Sequence, residues 1–153
     1  MQIHRTASED ETIALGQRLA RELPRGAVLL IGNLGAGKTT LVKGIVSGLG
    51  AAPIEEVSSP TFTLIHEYGG PRGAAPKVFH VDLYRLETER EVESLGLDDL
   101  FDTQSLVLIE WGERFPRLMP PRRTEIRLRA IGDETGDERG DDGREIAVTY
   151  RTE

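Results

Sequence analysis

An eight-residue stretch, Gly-Asn-Leu-Gly-Ala-Gly-Lys-Thr, occupies positions 32–39 and directly follows the apolar run at 27–31. It matches the pattern G-x-x-x-x-G-K-[ST] in full. The glycines let successive backbone N–H groups turn towards phosphate oxygens, Lys38 can reach terminal phosphates, and the Thr39 hydroxyl can ligate Mg²⁺. The stretch therefore predicts a strand, a phosphate-binding loop and a helix in that order, and with them a nucleotide-binding protein.

The length and composition narrow the class of protein. A chain of 153 residues has room for one proper core, so residues 1–153 are expected to form a single domain. No apolar run approaches the roughly 18 residues of a membrane span, and the amino terminus lacks the apolar core of a signal peptide. We expect a cytoplasmic protein with no membrane contact. The absence of cysteine excludes disulfides, thiol catalysis and cysteine-ligated zinc.

The net charge of −7 is concentrated in one segment. Residues 133–142 hold six acids and one arginine, which accounts for −5 of the total, and they predict an acidic loop at about 132–143. The remainder is close to neutral. It gives neither the basic stripe of a stand-alone RNA binder nor an argument against RNA contact within a complex.

Hydrophobic periodicity predicts three helices. Ser8 and Glu11 have the spacing of a capping box, and a helix is expected over residues 9–22. Apolar residues at 41, 45 and 49 form one stripe on a second helix at 38–49, whose amino terminus points at the phosphates. A short charged helix is expected at 87–95.

Strand patterns alternate with these helices. We predict strands at 27–31, 61–68 with a return strand at 78–81, and 106–109. Segments 124–131 and 145–150 predict a C-terminal antiparallel hairpin, with these residues facing the core: Ile126, Leu128, Ile146 and Val148. The pattern indicates the α/β class, a three-layer P-loop NTPase fold whose mixed sheet contains antiparallel strands.

Two carboxylates follow apolar strands. Asp82 ends the strand beginning at 78, and Glu110 ends the strand beginning at 106. Both are expected at the carboxyl edge of the sheet, where doubly wound folds bind ligands. A phosphate loop needs an acidic residue there to anchor magnesium, directly or through water, and either residue could fill that role.

Other residues have a functional and a structural interpretation. Ser59 or Thr61 could be ordered by a γ-phosphate and its magnesium, or could cap a turn that Pro60 fixes. Trp111 is the only tryptophan; it could cover a nucleotide, or belong to the core. Arg85 and Arg114 could offset phosphate charge or form surface ion pairs. His80 is expected to be a core histidine rather than a base.

Four segments in order resemble the signature blocks of the TsaE family, also called YjeE, small bacterial P-loop ATPases needed for threonylcarbamoyladenosine in tRNA. The blocks are Gly-Asn-Leu-Gly-Ala-Gly-Lys-Thr-Thr at 32–40, Ser-Pro-Thr-Phe-Thr-Leu at 59–64, His-Val-Asp-Leu-Tyr-Arg-Leu at 80–86 and Ile-Glu-Trp-Gly-Glu-Arg at 109–114. The resemblance covers roughly residues 8–131. It departs from the family at Asn33, where members usually carry aspartate, and the acidic segment lies beyond it.

The resemblance implies roles for individual residues. Lys38 and the loop amides would bind the β- and γ-phosphates of ATP, and Thr39 and Glu110 would ligate Mg²⁺. Asp82 would be a second carboxylate important for turnover, and Thr61 would belong to a switch-like loop. The remaining nucleotide-binding positions would be Thr12, Gly35, Ala36, Gly37, Thr40, Trp111 and Glu113.

The same resemblance implies a partner complex. The partners would be TsaD and TsaB, and TsaD would transfer threonylcarbamoyl to adenosine 37 of ANN-decoding tRNAs. The chain would contact tRNA only indirectly, through the complex. The chain alone would be a weak ATPase. Two alternatives are a small-molecule kinase with Asp82 as base and a pure nucleotide-binding regulator. No Asn-Lys-x-Asp box supports a GTPase.

Overall fold

The computed structural model describes residues 1–60, 63–69, 76–101, 104–131 and 143–152. Their strands form one seven-stranded sheet in the order β1-β7-β6-β2-β5-β4-β3. The strands are β1 Gln2–Thr6, β2 Gly26–Ile31, β3 Ile65–Tyr68, β4 Val78–Asp82, β5 Leu106–Glu110, β6 Arg123–Ala130 and β7 Arg144–Arg151.

The centre of the sheet is parallel and its flanks are antiparallel. β2 pairs in parallel with β5 on one side and with β6 on the other, and β4 continues the parallel set beyond β5. β3, β7 and β1 add antiparallel pairs at the two flanks. The phosphate-loop strand β2 is therefore central, and the carboxyl ends of β2, β4 and β5 meet at one edge.

Two helices cover one face of the sheet. α1 spans Glu9–Leu19 and α2 spans Lys38–Gly48, and both pack on the apolar side chains of β2, β5, β6 and β7. The two helices cross at Gly16 and Gly44, where a Cβ on either residue would collide with the backbone of the other helix. This close crossing fixes the position of α2 relative to α1.

Shorter elements cover the opposite face. α3 spans Glu89–Glu93, and single 3₁₀ turns lie at Leu97–Leu100, Gly112–Arg114 and Pro116–Leu118. Their apolar residues, among them Val92, Leu97 and Phe115, pack on the second face of β2, β4 and β5. The sheet is thus the middle of three layers. Within the described part of the chain, no helix is long and apolar enough to cross a membrane.

The predicted fold class is confirmed: the sheet is mixed and ends in the expected hairpin, whose inward residues Ile126, Leu128, Ile146 and Val148 are buried. Three element boundaries were wrong. α1 ends at Leu19, α3 is half the predicted length, and β3 begins only at Ile65, although residues 61 and 62 lie outside the described part of the chain. The predicted acidic loop also falls almost entirely outside it.

Strand β1 was missed altogether. Its sequence, Gln-Ile-His-Arg-Thr, contains one apolar side chain, Ile3, which is exposed. β1 is an edge strand that pairs with β7 through its backbone. Because its side chains bury little apolar surface, the period of two that marks a half-buried strand is absent from the sequence.

Candidate nucleotide site

The phosphate loop joins the buried strand β2 to α2. Gly37 is the N-cap residue of α2, and its φ of 98° lies in the left-handed region that favours glycine. No described side chain caps the helix, and its first turn contains no acidic residue. Since the first N–H groups of a helix have no intrahelical partner, this amino terminus offers donors and a partial positive charge to an anion.

Lys38 is held close to the loop. Its side chain is 5% exposed, and Nζ donates a hydrogen bond of 2.6 Å to the carbonyl of Gly32. Nζ also lies 3.8 Å from the centroid of the Trp111 ring, a cation–π distance. Burial lowers the pKa of Lys38, and the nearby carboxylates of Glu110, Glu113 and Asp82 oppose that shift. A bound phosphate would likewise favour the charged lysine.

The two predicted carboxylates lie side by side. Asp82 and Glu110 are direct partners in the parallel β4–β5 register, and both are buried. Glu110 Oε2 is 2.5 Å from Nε2 of His80, the buried histidine of β4. Asp82 accepts a 2.9 Å hydrogen bond from the backbone N–H of Tyr84 and a 3.5 Å contact from the hydroxyl of Ser59. Both carboxylates are therefore oriented before any ligand binds.

A cavity of about 360 Å³ opens where the loop, α2 and the strand ends meet. Eight predicted nucleotide or metal residues line it: Gly35, Gly37, Lys38, Thr39, Thr40, Asp82, Glu110 and Trp111. Ser59, one of two hydroxyl candidates, lines it too; Thr61, the other, lies outside the described residues.

Three residues predicted to bind the nucleotide do not line the cavity. Ala36 is buried, and its N–H closes a turn on the carbonyl of Asn33. The Thr12 hydroxyl lies 2.7 Å from that of Thr6 and donates to the carbonyl of Ser8, so it ties α1 to β1. Their assignment to nucleotide binding stays a prediction.

Glu113 is the third of these residues. Its Oε1 is buried and has no hydrogen-bond partner among the described residues. Burial raises the pKa of Glu113, while its own backbone N–H and the positive charges of Lys38, Arg127 and Arg114 act in the opposite direction. Glu113 therefore belongs to the electrostatic surroundings of Lys38, and direct contact with a nucleotide stays a prediction.

Trp111 lies both at the cavity and against the core on the second face of the sheet, and its contact with a nucleotide stays a prediction. It is partly exposed, has a φ of 69° and lines the cavity beside Tyr84, with the two ring centroids 5.2 Å apart. Arg114 instead donates to the backbone carbonyls of Tyr84 and Leu86, at 2.8 and 3.0 Å. It anchors the segment after β4 and, with Arg85, borders a separate surface depression.

The oxygen atoms that line the cavity are suitable ligands for magnesium. The carboxylates of Asp82 and Glu110 and the hydroxyl of Thr39 line the same cavity, and all are oxygen ligands of the kind Mg²⁺ prefers. The described residues contain no cluster of three or more histidine, aspartate or glutamate side chains able to hold a metal by themselves.

Four cavity residues were missed from the sequence: Glu9, Leu34, Tyr84 and Arg144. Leu34 lies in the phosphate-loop motif and Tyr84 in the block at 80–86, so their places in these motifs could have identified them as cavity residues. Glu9 and Arg144 come from the first turn of α1 and the start of β7. No local pattern marks them, because only the tertiary fold brings these segments to the loop.

The fold and this arrangement place the chain in the P-loop NTPase class. The family model described as threonylcarbamoyl adenosine biosynthesis protein TsaE matches residues 6–139. The tRNA threonylcarbamoyladenosine biosynthesis protein TsaE of Bacillus subtilis is 41% identical over 146 residues, which is 95% of this chain and 83% of that protein. The protein of the same name from Haemophilus influenzae is 45% identical, over 61% of this chain and 56% of its own length.

A solved structure supports the same conclusion. The crystal structure of Bacillus subtilis YdiB superposes with a TM-score of 0.71 at 31% identity, covering 99% of this chain and 86% of that one. The chain belongs to the TsaE family, whose role is in the biosynthesis of threonylcarbamoyladenosine in tRNA.

Proposed function

We propose that the protein binds ATP with Mg²⁺ in this cavity and hydrolyses it, and that the cycle acts on a TsaD–TsaB complex in the cytoplasm. The complex would form threonylcarbamoyladenosine at position 37 of ANN-decoding tRNAs, and the contact with the tRNA would be made through the complex. One observation carries the nucleotide part: an uncapped helix amino terminus, Lys38 and two buried strand-end carboxylates converge on one cavity. Family membership supports the tRNA part.

The residues divide into two groups by what they would do. The α2 amides and Lys38 would hold the phosphates; Lys38 would exchange its contact with the Gly32 carbonyl for a phosphate oxygen. Thr39 and Glu110 would hold Mg²⁺, which supplies neutralisation of the charge on the terminal phosphates. His80 Nε2, at 2.5 Å, keeps Glu110 Oε2 pointing along this edge.

Asp82 is the residue we assign to turnover. Its carboxylate is fixed by the Tyr84 N–H and the Ser59 hydroxyl and lines the cavity beside Glu110. From this position it can accept a hydrogen bond from an attacking water and orient it. Thr61 would act with Ser59 in the segment that responds to the γ-phosphate. A weak reaction in the isolated chain is expected, because the neutralisation of charge on the γ-phosphoryl group transferred to water, with ADP leaving, would come from partners.

Phosphate release tests the proposal. We expect slow ADP formation by the protein alone and a marked acceleration when TsaD and TsaB are added, with Lys38→Ala as the inactive control. Formation of ADP that partners do not accelerate would contradict the cycle. Transfer of phosphate to an added small molecule would instead support a kinase, and ATP binding with no ADP under any condition would support a regulator.

A further inference from the structure

The second face of the sheet is covered on one half and exposed on the other. The apolar cluster under α3 and the 3₁₀ turns takes its sheet residues from β2, β3, β4 and β5, and none from the described parts of β6, β7 or β1. Since side chains alternate along a strand, the residues of β6 and β7 between the core-facing ones point to this second face. On β6 they are mainly charged, unlike the apolar side chains that a covered sheet presents.

A buried glutamate holds three arginines on this exposed half. The Glu125 side chain is 5% exposed, and its Oε2 lies 2.8 Å from Nε of Arg123 and 2.9 Å from Nε of Arg151. Its Oε1 lies 3.5 Å from Nη2 of Arg127. Burial acts to raise the pKa of Glu125, but the hydrogen bonds and charges of Arg123 and Arg151 outweigh it and lower that pKa. The carboxylate therefore stays ionised at neutral pH and restricts all three guanidinium groups.

The cluster keeps a positive charge that faces solvent. Three guanidinium groups surround one carboxylate, and the side chains of Arg127 and Arg151 are 62% and 49% exposed. Each of these two contacts Glu125 through one nitrogen, and a guanidinium has several further N–H donors. Because the salt bridges already restrict the side chains, less conformational entropy is lost when an anionic group binds.

An apolar side chain lies in the same surface. Ala147 of β7 pairs with Arg127 on one side and with Ile3 of β1 on the other, so the three residues form one row across the face. Ile3 is 56% exposed. Arg127 also pairs with Ile31, the last residue of β2 before the phosphate loop. The surface therefore combines arginine with an exposed apolar residue and borders the base of the nucleotide site.

We propose that this surface, which Arg127, Arg151 and Ile3 define, docks a protein partner that presents carboxylates around an apolar side chain. Arginine and apolar residues together are typical of protein interfaces, whereas an RNA backbone would leave Ile3 without an apolar contact. A second copy of the chain, in a two-fold contact, would bring like charges together. The inference rests on the proposed function, because the TsaD–TsaB complex is the partner used to test it.

Binding of the full chain to purified TsaD–TsaB complex, measured by interferometry with ATP and Mg²⁺ at low and high salt, tests the docking surface. The double variant Arg127→Gln, Arg151→Gln should bind about five- to thirty-fold more weakly at low salt, and salt should reduce this difference. Ile3→Ser should weaken binding about two- to fivefold at both salt concentrations. Arg21→Gln, which removes an exposed charge just after α1, is the matched control and should bind like the wild type.

Arg151→Gln alone guards against misfolding of the double variant. It should keep wild-type ATP affinity and still bind the complex about threefold more weakly. Equal affinity of the double variant and the wild type for the complex would overturn the docking surface and leave the proposed function standing.

Two other occupants would give different results. A double variant that lost affinity for free tRNA but not for the complex would overturn the inference and assign the face to RNA. Loss of self-association in the double variant, with unchanged affinity for the complex, would overturn it in favour of a second copy. A wild type that the complex neither binds nor activates would refute the proposed function, and the docking surface with it.

Discussion

α1 and α2 lie side by side on the same face of the sheet and are both 11 residues long, yet their amino termini differ. The Ser8 hydroxyl caps α1 by accepting the N–H of Glu11, and three acids fill its first turn. α2 begins after a left-handed glycine, with no acid in its first turn and no cap from the described side chains.

The difference shows that one helix terminus contributes to folding stability and the other is available for ligand binding. In α1 the Ser8 hydroxyl satisfies one of the first N–H groups and the acids of the first turn complement the dipole, which stabilises the helix. α2 leaves the same groups open and forgoes that stabilisation, so an anion can supply it. Nucleotide should therefore raise the melting temperature of the protein through the amino terminus of α2, following the mass-action relation for a ligand of the native state.

Among the substitutions that test this comparison, replacement of Lys38 should have the largest effect, and the effect is on ATP affinity. Lys38→Ala removes a charged donor that would reach two phosphates, worth about 3 kcal/mol or more, so ATP affinity should fall on the order of 100- to 1000-fold. Lys43→Ala, on the same helix and away from the cavity, is the matched control. Calorimetry measures both affinities, because the fluorescence of Trp111 would itself change when Lys38 Nζ, 3.8 Å from its ring, is removed. Unchanged ATP affinity in Lys38→Ala would remove α2 as the phosphate site.

The strand-end carboxylates should separate binding from turnover. Asp82→Ala should lower the partner-stimulated ATPase rate about 100-fold while leaving ATP affinity nearly intact, as expected for loss of a residue that orients water. Glu110→Ala should weaken ATP binding about tenfold in Mg²⁺ and little in EDTA. Equal ATPase rates for wild type and Asp82→Ala, with partners present, would contradict this division. Glu67→Ala, an exposed acid on β3, controls for net charge.

The sequence predicted the regions where local pattern and chemistry coincide. The loop motif required β2 and α2, and apolar runs ending in acids placed Asp82 and Glu110 at one edge, as found. Arg144 and Glu9 were not predictable in this way, since they line the cavity only because of how the fold places β7 and α1. β1 was missed for the opposite reason: backbone pairing alone holds it.

Removing the α1 cap should affect stability without touching binding. Ser8→Ala loses the hydrogen bond to the Glu11 N–H, 3.1 Å long, and should destabilise the protein by about 1 kcal/mol. For a chain of this size the melting temperature should fall by about 2–4 °C. The affinity for ATP, measured well below the transition, should equal that of wild type. A parallel loss of affinity would mean that the two helix termini are energetically coupled through the Gly16–Gly44 crossing.

The smallest effect is expected from Asn33→Asp, which introduces into the phosphate loop the acid expected there from the family resemblance. Asn33 is exposed and precedes α2, so a carboxylate there should interact favourably with the helix dipole and raise stability slightly in the absence of ligand. The same charge should repel the phosphates and weaken ATP binding about two- to fivefold at low salt, an effect that salt screens. A rise in stability together with a fall in ATP affinity would confirm that a charge near the amino terminus of α2 increases one at the expense of the other. A carboxylate that weakened both, or neither, would show that position 33 does not feel the open helix terminus.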